Sequence, residues 1–192
     1  MDTFKDYYQK EVQKKIKDAL KLNNYLAVPK IIKVVLNVGA GEAVTNKNVL
    51  EKIQEQMSWI AGQKPVITKA RQSISAFKIR KGLSIGVKVT LRGKKMYAFV
   101  EKLVKIIIPR IRDFRGINDH SIDQSGNLNL GFTEQTIFPE VEFDKVDRLR
   151  GLQVTLVTNA GSFDRGRCLF EKLGIPFKKQ AVNQEKAISQ KK

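Results

Sequence analysis

The spacing of apolar residues along the chain predicts a series of helices and strands. Every fourth residue from Phe4 to Leu20 is apolar, which is typical of a helix with one buried stripe, and lysines lie along another side of the same helix. The run Ile31–Val38 is short and rich in β-branched residues, so we expect a strand that enters a turn at Gly39–Gly41. A second helix is predicted from Asn48 to Ile60.

The rest of the pattern predicts more strands than helices. Further strands are expected at Pro65–Thr68, Ser75–Ile79, Ile85–Leu91, Asn127–Phe132 and Leu152–Val157. One helix should run from Gly93 until Pro109 ends it, and another from Ser162 or Asp164 to Gly174. Because the middle strands follow one another without a βαβ repeat, we predict an α+β fold: a mostly antiparallel sheet, helices packed on one face, and a projecting basic loop.

Length and composition favour one domain with a tail. The chain has 192 residues, of which 42% are hydrophobic, and a single core is comfortable up to roughly 250 residues. We therefore expect one RNA-binding domain over residues 1–179. Residues 180–192 are polar and basic, and we expect them to form a disordered C-terminal tail.

Several classes of protein are excluded by what the sequence lacks. It has no run of about 18 apolar residues and no basic leader before an apolar stretch, so neither a membrane span nor a secretory signal is predicted. The single Cys168 cannot form an internal disulfide, which is typical of a cytoplasmic protein. A lone His120 beside Asp119 is a poor metal site and is expected to be an exposed loop residue.

No motif of catalysis is recognisable either. Gly39-Ala40-Gly41 follows a strand, but Val44 stands where a dinucleotide-binding fingerprint needs its third glycine. We expect these glycines to adopt positive φ and admit RNA closely, or simply to make a turn. The sequence predicts neither an enzyme nor a cofactor or metal site.

The charge distribution points to a polyanionic partner. The formal net charge is +17, from 36 Lys and Arg against 19 Asp and Glu. Residues 56–100 contain ten basic residues and no acidic one, whereas residues 113–147 contain eight acidic residues and two basic ones. An acid-free window of this length needs neutralisation from outside the chain, and nucleic acid phosphate is the obvious source.

The most informative part of this window is the segment 68–82. It combines five Lys and Arg residues with hydroxyl and amide side chains, one aromatic residue and a glycine. Charge without a regular aromatic platform favours structured RNA over single-stranded bases. A free-standing nucleic-acid chaperone or DNA-compacting protein is the alternative that charge alone would allow, and a nucleotide-dependent enzyme built on Gly39–Gly41 is a weaker one.

Seven segments carry a family resemblance. They are LNVGAGEA (36–43), GQKPVITKAR (62–71), FKIRKG (77–82), KVTLRG (88–93), PRIRDFRG (109–116), IFPE (137–140) and DKVDRLRGL (144–152). In order and spacing, over residues 2 to about 179, they resemble the bacterial large-subunit ribosomal protein L5 family. The basic tail is the departure, since many members stop before it.

The resemblance implies a set of partners and sites. The partners are 5S rRNA in the central protuberance, 23S rRNA, the P-site tRNA, protein S13 of the small-subunit head and neighbouring large-subunit proteins. The implied 5S rRNA surface is Asn37, Gln63, Lys64, Thr68 and Thr90, assisted by the basic side of the first helix. The implied tRNA-contacting loop is Ser73–Gly82, with Ser73, Lys78, Arg80, Lys81 and Gly82 as its binding residues.

The acidic segment acquires a possible role from the same resemblance. Glu140, Glu142 and Asp144 are the predicted contact with the basic protein S13, in a bridge between the subunits. The alternative, weighted equally, is that these carboxylates only keep an irregular region soluble.

Overall fold

The apolar and β-branched runs of the sequence form one five-stranded sheet. The structure, a computed structural model, describes residues 4–46, 48–142 and 146–178. The strands are β1 (Ile31–Gly39), β2 (Val66–Lys69), β3 (Ser84–Leu91), β4 (Leu128–Phe132) and β5 (Leu152–Thr158). Their order is β2-β3-β1-β5-β4, and all neighbours are antiparallel, which confirms the predicted α+β class.

Strand β1 lies at the centre of the sheet and divides its side chains between two environments. Val34 is paired with Leu91 of β3 on one side and with Leu156 of β5 on the other. Val34, Leu36 and Val38 are buried, whereas the intervening residues are only half-buried, as expected for the two-residue period of a strand. The sheet therefore has one core face and one open face.

The helices follow the predicted periodicities and cover the core face. Helix α1 is made of the segments Phe4–Tyr7, Tyr8–Val12 and Gln13–Ala19, α2 is Asn48–Ala61, α3 is made of Gly93–Lys102, Leu103–Ile107 and Ile108–Arg110, and α4 is Phe163–Lys172. The middle segments of α1 and α3 are π-helical. No helix in the described ranges is both long enough and apolar enough to cross a bilayer.

Each helix contributes fully or almost fully buried apolar side chains to a single hydrophobic core. Ile16 of α1, Ile53 of α2, Phe99 of α3 and Leu169 of α4 all belong to it, together with the core face of the sheet. Burying one such side chain stabilises the fold by about 1.5–3 kcal/mol. The helices are thus fastened to one face, and the other face is left without a covering helical layer.

Two sequence predictions about element bounds are wrong. The predicted strand Ser75–Ile79 is a 3-10 turn at Ser75–Phe77, with only an isolated bridge between Ile74 and Ile79. The chain doubles back within a projecting loop, so no neighbouring strand is available to pair with it. Pro109 lies inside the last turn of α3 and not beyond it, since the helix runs one residue further to Arg110 and the backbone becomes extended at Ile111.

A contact between two glycines seats α4 against the turn that precedes β4. A Cβ on Gly166 would lie 2.5 Å from the Gly126 Cα, and a Cβ on Gly126 would lie 2.6 Å from the Ser162 carbonyl oxygen. Gly126 also has φ +80°. The Thr158 hydroxyl donates a 2.7 Å hydrogen bond to the Gly126 carbonyl oxygen, which ties the same turn to β5. Neither glycine can carry a side chain without moving backbone.

We predict that Gly166→Ala destabilises the fold. The added methyl group must push α4 away from the turn at Gly126, at a cost of about 1–3 kcal/mol that outweighs the better helix propensity of alanine. Chemical denaturation should show the loss in the free energy of unfolding. Arg165→Ala, at an exposed position of the same helix, is the control and should change that free energy by less than about 0.5 kcal/mol. Equal stability of Gly166→Ala and the wild type would contradict the close packing.

Candidate nucleic-acid interface

The open face of the sheet is a polar platform without carboxylates. Its cross-strand rows follow from the register: one row is Val66, Lys88, Asn37, Gln153 and Gly131, and the next is Thr90, Val35, Thr155 and Asn129. None of the five strands contains an Asp or Glu residue. This face therefore offers amides, hydroxyls and the lysines Lys33 and Lys88, which suit ribose, base edges and phosphate.

The residues predicted for 5S rRNA come together on the β2-β3-β1 half of this platform. Asn37, Thr68 and Thr90 all occupy open-face positions of their strands. The Gln63 side-chain amide donates a 3.4 Å hydrogen bond to the Thr90 carbonyl oxygen, so Gln63 lies beside β3. Lys64 is exposed, two residues before the start of β2. Residues from four different segments thus share one surface.

The other half of the platform contains polar residues that sequence reasoning missed. Asn129, Gly131 and Gln153 line a shallow depression of about 380 Å³ together with Asn37 and Gly39. The Thr155 hydroxyl donates a 2.8 Å hydrogen bond to Asn129 Oδ1, which orients that amide. Strand alternation is the sequence signal that could have found Gln153 and Asn129, but only the register shows that Gln153 lies across from Asn37 and that Asn129 lies across from Thr155 on the next strand.

The loop Ser73–Gly82 is closed by backbone hydrogen bonds. Ile74 and Ile79 exchange two bonds of 2.9 and 3.1 Å, and the Gly82 N–H donates to the Ala70 carbonyl oxygen at 2.9 Å. The Lys81 N–H donates to Ser73 Oγ at 2.9 Å. Lys78 has φ +54°, a left-handed conformation that is uncommon outside glycine and tightens the turn. The loop is a hairpin-like projection with a defined shape.

Cations and apolar side chains share the surface of this loop. Lys78, Arg80 and Lys81 are exposed, and no carboxylate among the described residues forms an ion pair with them. Phe77 is 69% exposed and Ile74 is 45% exposed, so the tip of the loop is apolar. The sequence signalled the cations but not the exposure of Phe77, since its strand-like context predicted a different conformation.

The predicted bridge residues lie in different surroundings. Glu140 Oε1 accepts from Lys102 Nζ at 2.7 Å, and the same ammonium donates to the Ile60 carbonyl oxygen at 2.8 Å. Glu142 is exposed, although it also takes part in contacts within the chain. Asp144 and the tail 180–192 lie outside the described residues. Glu140 therefore fastens its segment to α3, whatever else it contacts.

Two buried hydrogen bonds and one exposed ion pair hold the rest of the acidic segment to the body. Gln135 donates to Gln56 Oε1 at 3.1 Å and accepts from the Arg150 N–H at 3.0 Å, both in buried surroundings. Asp147 accepts a 2.7 Å hydrogen bond from Lys52 Nζ, which lowers the pKa of this carboxyl below its ordinary value. These contacts reach α2, so the segment is fixed at several points along its length.

The remaining candidates for chemistry do not assemble into a site. His120 is exposed, and its neighbour Asp119 is paired with Arg167 at 3.4 Å. Burial raises the pKa of the Cys168 thiol, which disfavours the nucleophilic thiolate. Gly39 and Gly41 do not have positive φ, so that expectation is wrong, and they form the end of β1 and the turn after it. Among the residues described, no cluster could hold a metal ion.

Known protein families match this chain on both sides of the loop Ser73–Gly82. The family model of ribosomal protein L5 matches residues 24–80, and a model of the C-terminus of the ribosomal L5 family matches residues 84–177. The large ribosomal subunit protein uL5 of Desulfotalea psychrophila is 49% identical over 179 residues, which are 93% of this chain and 100% of the relative. The uL5 protein of Psychrobacter arcticus is 52% identical over 178 residues, or 93% and 100% of the two chains.

A third relative matches the chain to a similar extent. The large ribosomal subunit protein uL5 of Trichodesmium erythraeum is 47% identical over 177 residues, which cover 92% of this chain and 98% of the relative. The resemblance seen in seven short segments is therefore confirmed along nearly the whole sequence, and with it the prediction that the chain is not an enzyme. The sheet, the projecting loop and the acidic segment are parts of a known kind of protein: this chain belongs to the ribosomal protein L5 family.

Proposed function

We propose that this protein binds 5S rRNA through the open face of its sheet and helps attach it to the central protuberance. The chain is a protein of the large subunit of the cytoplasmic ribosome, as its family is. The loop Ser73–Gly82 contacts the P-site tRNA, and the acidic segment bridges to the small-subunit head. The observation that carries the proposal is the carboxylate-free open face, which lies next to a loop whose cations have no acidic partner among the described residues.

The polar half-sheet around Asn37 suits folded RNA better than a generic polyanion. Asn37 and Thr90 provide neutral donors and acceptors, whereas Lys88 and Lys64 provide exposed charge beside them. Phosphate contacts position an RNA, and neutral polar groups contact the 2′-hydroxyl and base edges. Preference for one folded RNA follows from this combination.

The shape of the loop supports a second, separate RNA contact. Its cations project from a closed hairpin at Ala70–Leu83, outside the hydrophobic core. The exposed Phe77 adds an apolar surface that can pack against a base or ribose. Because the loop projects from the sheet, it can contact tRNA while the open face contacts 5S rRNA.

Helix α1 supplies additional contacts within the large subunit. Lys14 is exposed on its outer side and Lys21 is exposed two residues after its end, where 23S rRNA or 5S rRNA can neutralise them. In the turn that follows, Leu26 is 86% exposed and Tyr25 is 51% exposed. An exposed apolar pair of this kind suits a neighbouring large-subunit protein.

We propose the bridge to S13 on the exposed carboxylates of the acidic segment. Glu142 is exposed at the end of a segment that is anchored through Gln135 and Glu140. Anchoring keeps the carboxylates at a defined position, and their charge steers a basic partner without requiring a deep interface. Glu140 contributes chiefly by holding the segment on Lys102.

We predict that Asn37→Ala weakens binding of 5S rRNA. The loss of one neutral hydrogen-bonding side chain at the centre of the platform should lower affinity about tenfold, equivalent to ~1.4 kcal/mol. Filter binding or fluorescence anisotropy with purified 5S rRNA measures the change. Asn118→Ala, an exposed asparagine outside the sheet, is the matched control and should bind like the wild type.

The same assay tests the electrostatic part of the proposal. If six to ten phosphates are neutralised, affinity should fall about a thousandfold or more between 50 and 200 mM salt. The wild type should also prefer 5S rRNA over a random duplex at moderate salt. Equal affinity for both RNAs would favour the free-standing chaperone instead, and a flat salt response would contradict phosphate binding.

We predict that the combined change of Lys78, Arg80 and Lys81 to alanine impairs tRNA handling while sparing the fold and 5S rRNA binding. Each of the three exposed charge contacts is worth up to about 1 kcal/mol. Their combined loss should therefore raise the dissociation rate of P-site tRNA from ribosomes by roughly fivefold or more. The control carries three alanines at Arg165, Lys172 and Lys178, which removes the same charge elsewhere. An equal loss of 5S rRNA affinity in the loop variant would show that the two sites are not separate.

We predict that reversing Glu142 and Asp144 to lysine weakens association of the ribosomal subunits without changing 5S rRNA affinity. Reversal turns attraction to a basic partner into repulsion, so light scattering should show several-fold weaker association at low salt. Glu140→Lys is left out because it would place a second cation beside Lys102 and disturb the segment itself. Glu55→Lys with Glu171→Lys is the charge-matched control, and unchanged association in the test variant would refute the bridge.

A further inference from the structure

Glycines leave part of the depression on the β1-β5-β4 half of the sheet without side chains. Gly39 and Gly131 lie in it, and a Cβ added to either would meet no heavy atom within 4 Å. The space above both glycines is therefore open to a ligand. Its volume of about 380 Å³ is within the range of small-ligand sites, although the depression is shallow.

Three side-chain amides border this space. Asn37 and Gln153 face each other across β1 and β5, and neither side chain has a hydrogen-bond partner among the described residues. Asn129 accepts from the Thr155 hydroxyl through Oδ1, which leaves its Nδ2 group able to donate. Each amide can present both a donor and an acceptor to a ligand.

The side chains around the depression indicate which kind of ligand it can bind. No charged side chain of the described residues lines the depression, so a phosphate or a carboxylate would find no counter-charge among them. Lys88 is the cross-strand neighbour of Asn37 and lies just outside, where a phosphate could be held. A neutral group with a polar edge, attached to a phosphate backbone, satisfies both conditions. An unpaired nucleobase is such a group.

We propose that the depression receives one unpaired base of the bound 5S rRNA, with its polar edge read by Asn37, Asn129 and Gln153. The inference rests on the proposed binding of 5S rRNA and adds to it a base-reading site. The glycines admit the base close to the backbone, and Lys88 holds a neighbouring phosphate. Specificity for one RNA then depends on this half of the sheet as well as on the half that the sequence predicted.

The test fills the depression without disturbing the fold. Gly131→Ala and Gly131→Val add side chains of increasing size into open space, at a position with no left-handed backbone. We expect 5S rRNA affinity to fall about threefold for alanine and about thirtyfold for valine. Gly41→Ala, also in open space without positive φ but not lining the depression, is the matched control and should bind normally.

Chemical probing identifies the base directly. Reagents that modify the Watson–Crick edges of unpaired bases should leave one base of 5S rRNA protected in the wild-type complex and reactive in the Gly131→Val complex. If Gly131→Val fails to fold, Gln153→Ala removes an exposed side chain and should show the same loss of protection. Wild-type affinity and an unchanged modification pattern in these variants would overturn the base site alone. Absence of any preference of the wild type for 5S rRNA would overturn both proposals.

Discussion

The pairing of β1 on both of its edges is the constraint on which the rest of the structure depends. Its alternate residues Val34, Leu36 and Val38 are buried, and the pairing with β3 and β5 propagates this alternation across the sheet. A register shift of one residue would carry Asn37 into the core and Leu36 to the surface. Hydrophobic packing thus sets the composition of the polar face, and the proposed RNA contact uses the face that packing leaves open.

The linear distribution of charge describes the surface well in one region and poorly in another. The cations of the loop Ser73–Gly82 have no acidic partner among the described residues, so the acid-free window of the sequence is also an acid-free projection in space. The acidic segment is different, because Glu140 and Asp147 pair with Lys102 and Lys52 from helices far along the chain. Part of its negative charge is therefore neutralised by lysines of the same chain, and these ion pairs anchor the segment to the body.

Local patterns predicted most elements but failed where a partner strand decides the outcome. The alternation around Phe77 is compatible with a strand, yet the chain turns back at Ser75–Phe77 and offers no neighbour with which to form a ladder. The polar half of the site around Asn37 could be placed in part from the sequence. Gln153 and Asn129 could not, because only the pairing of the strands puts Gln153 of β5 beside Asn37 and puts β4, with Asn129, on the far side of β5.

The sequence by itself determined the α+β class and the family, and its charge predicted a polyanionic partner, because periodicity, charge runs and short ordered segments can all be recognised from neighbouring residues. Only the tertiary structure decided which face of the sheet stays open, that Phe77 projects at the loop tip, and that Glu140 is tied to Lys102. The physical reason is range. Helix and strand preferences depend on a few adjacent residues, whereas cross-strand register and ion pairs depend on contacts between segments that meet only when the core forms.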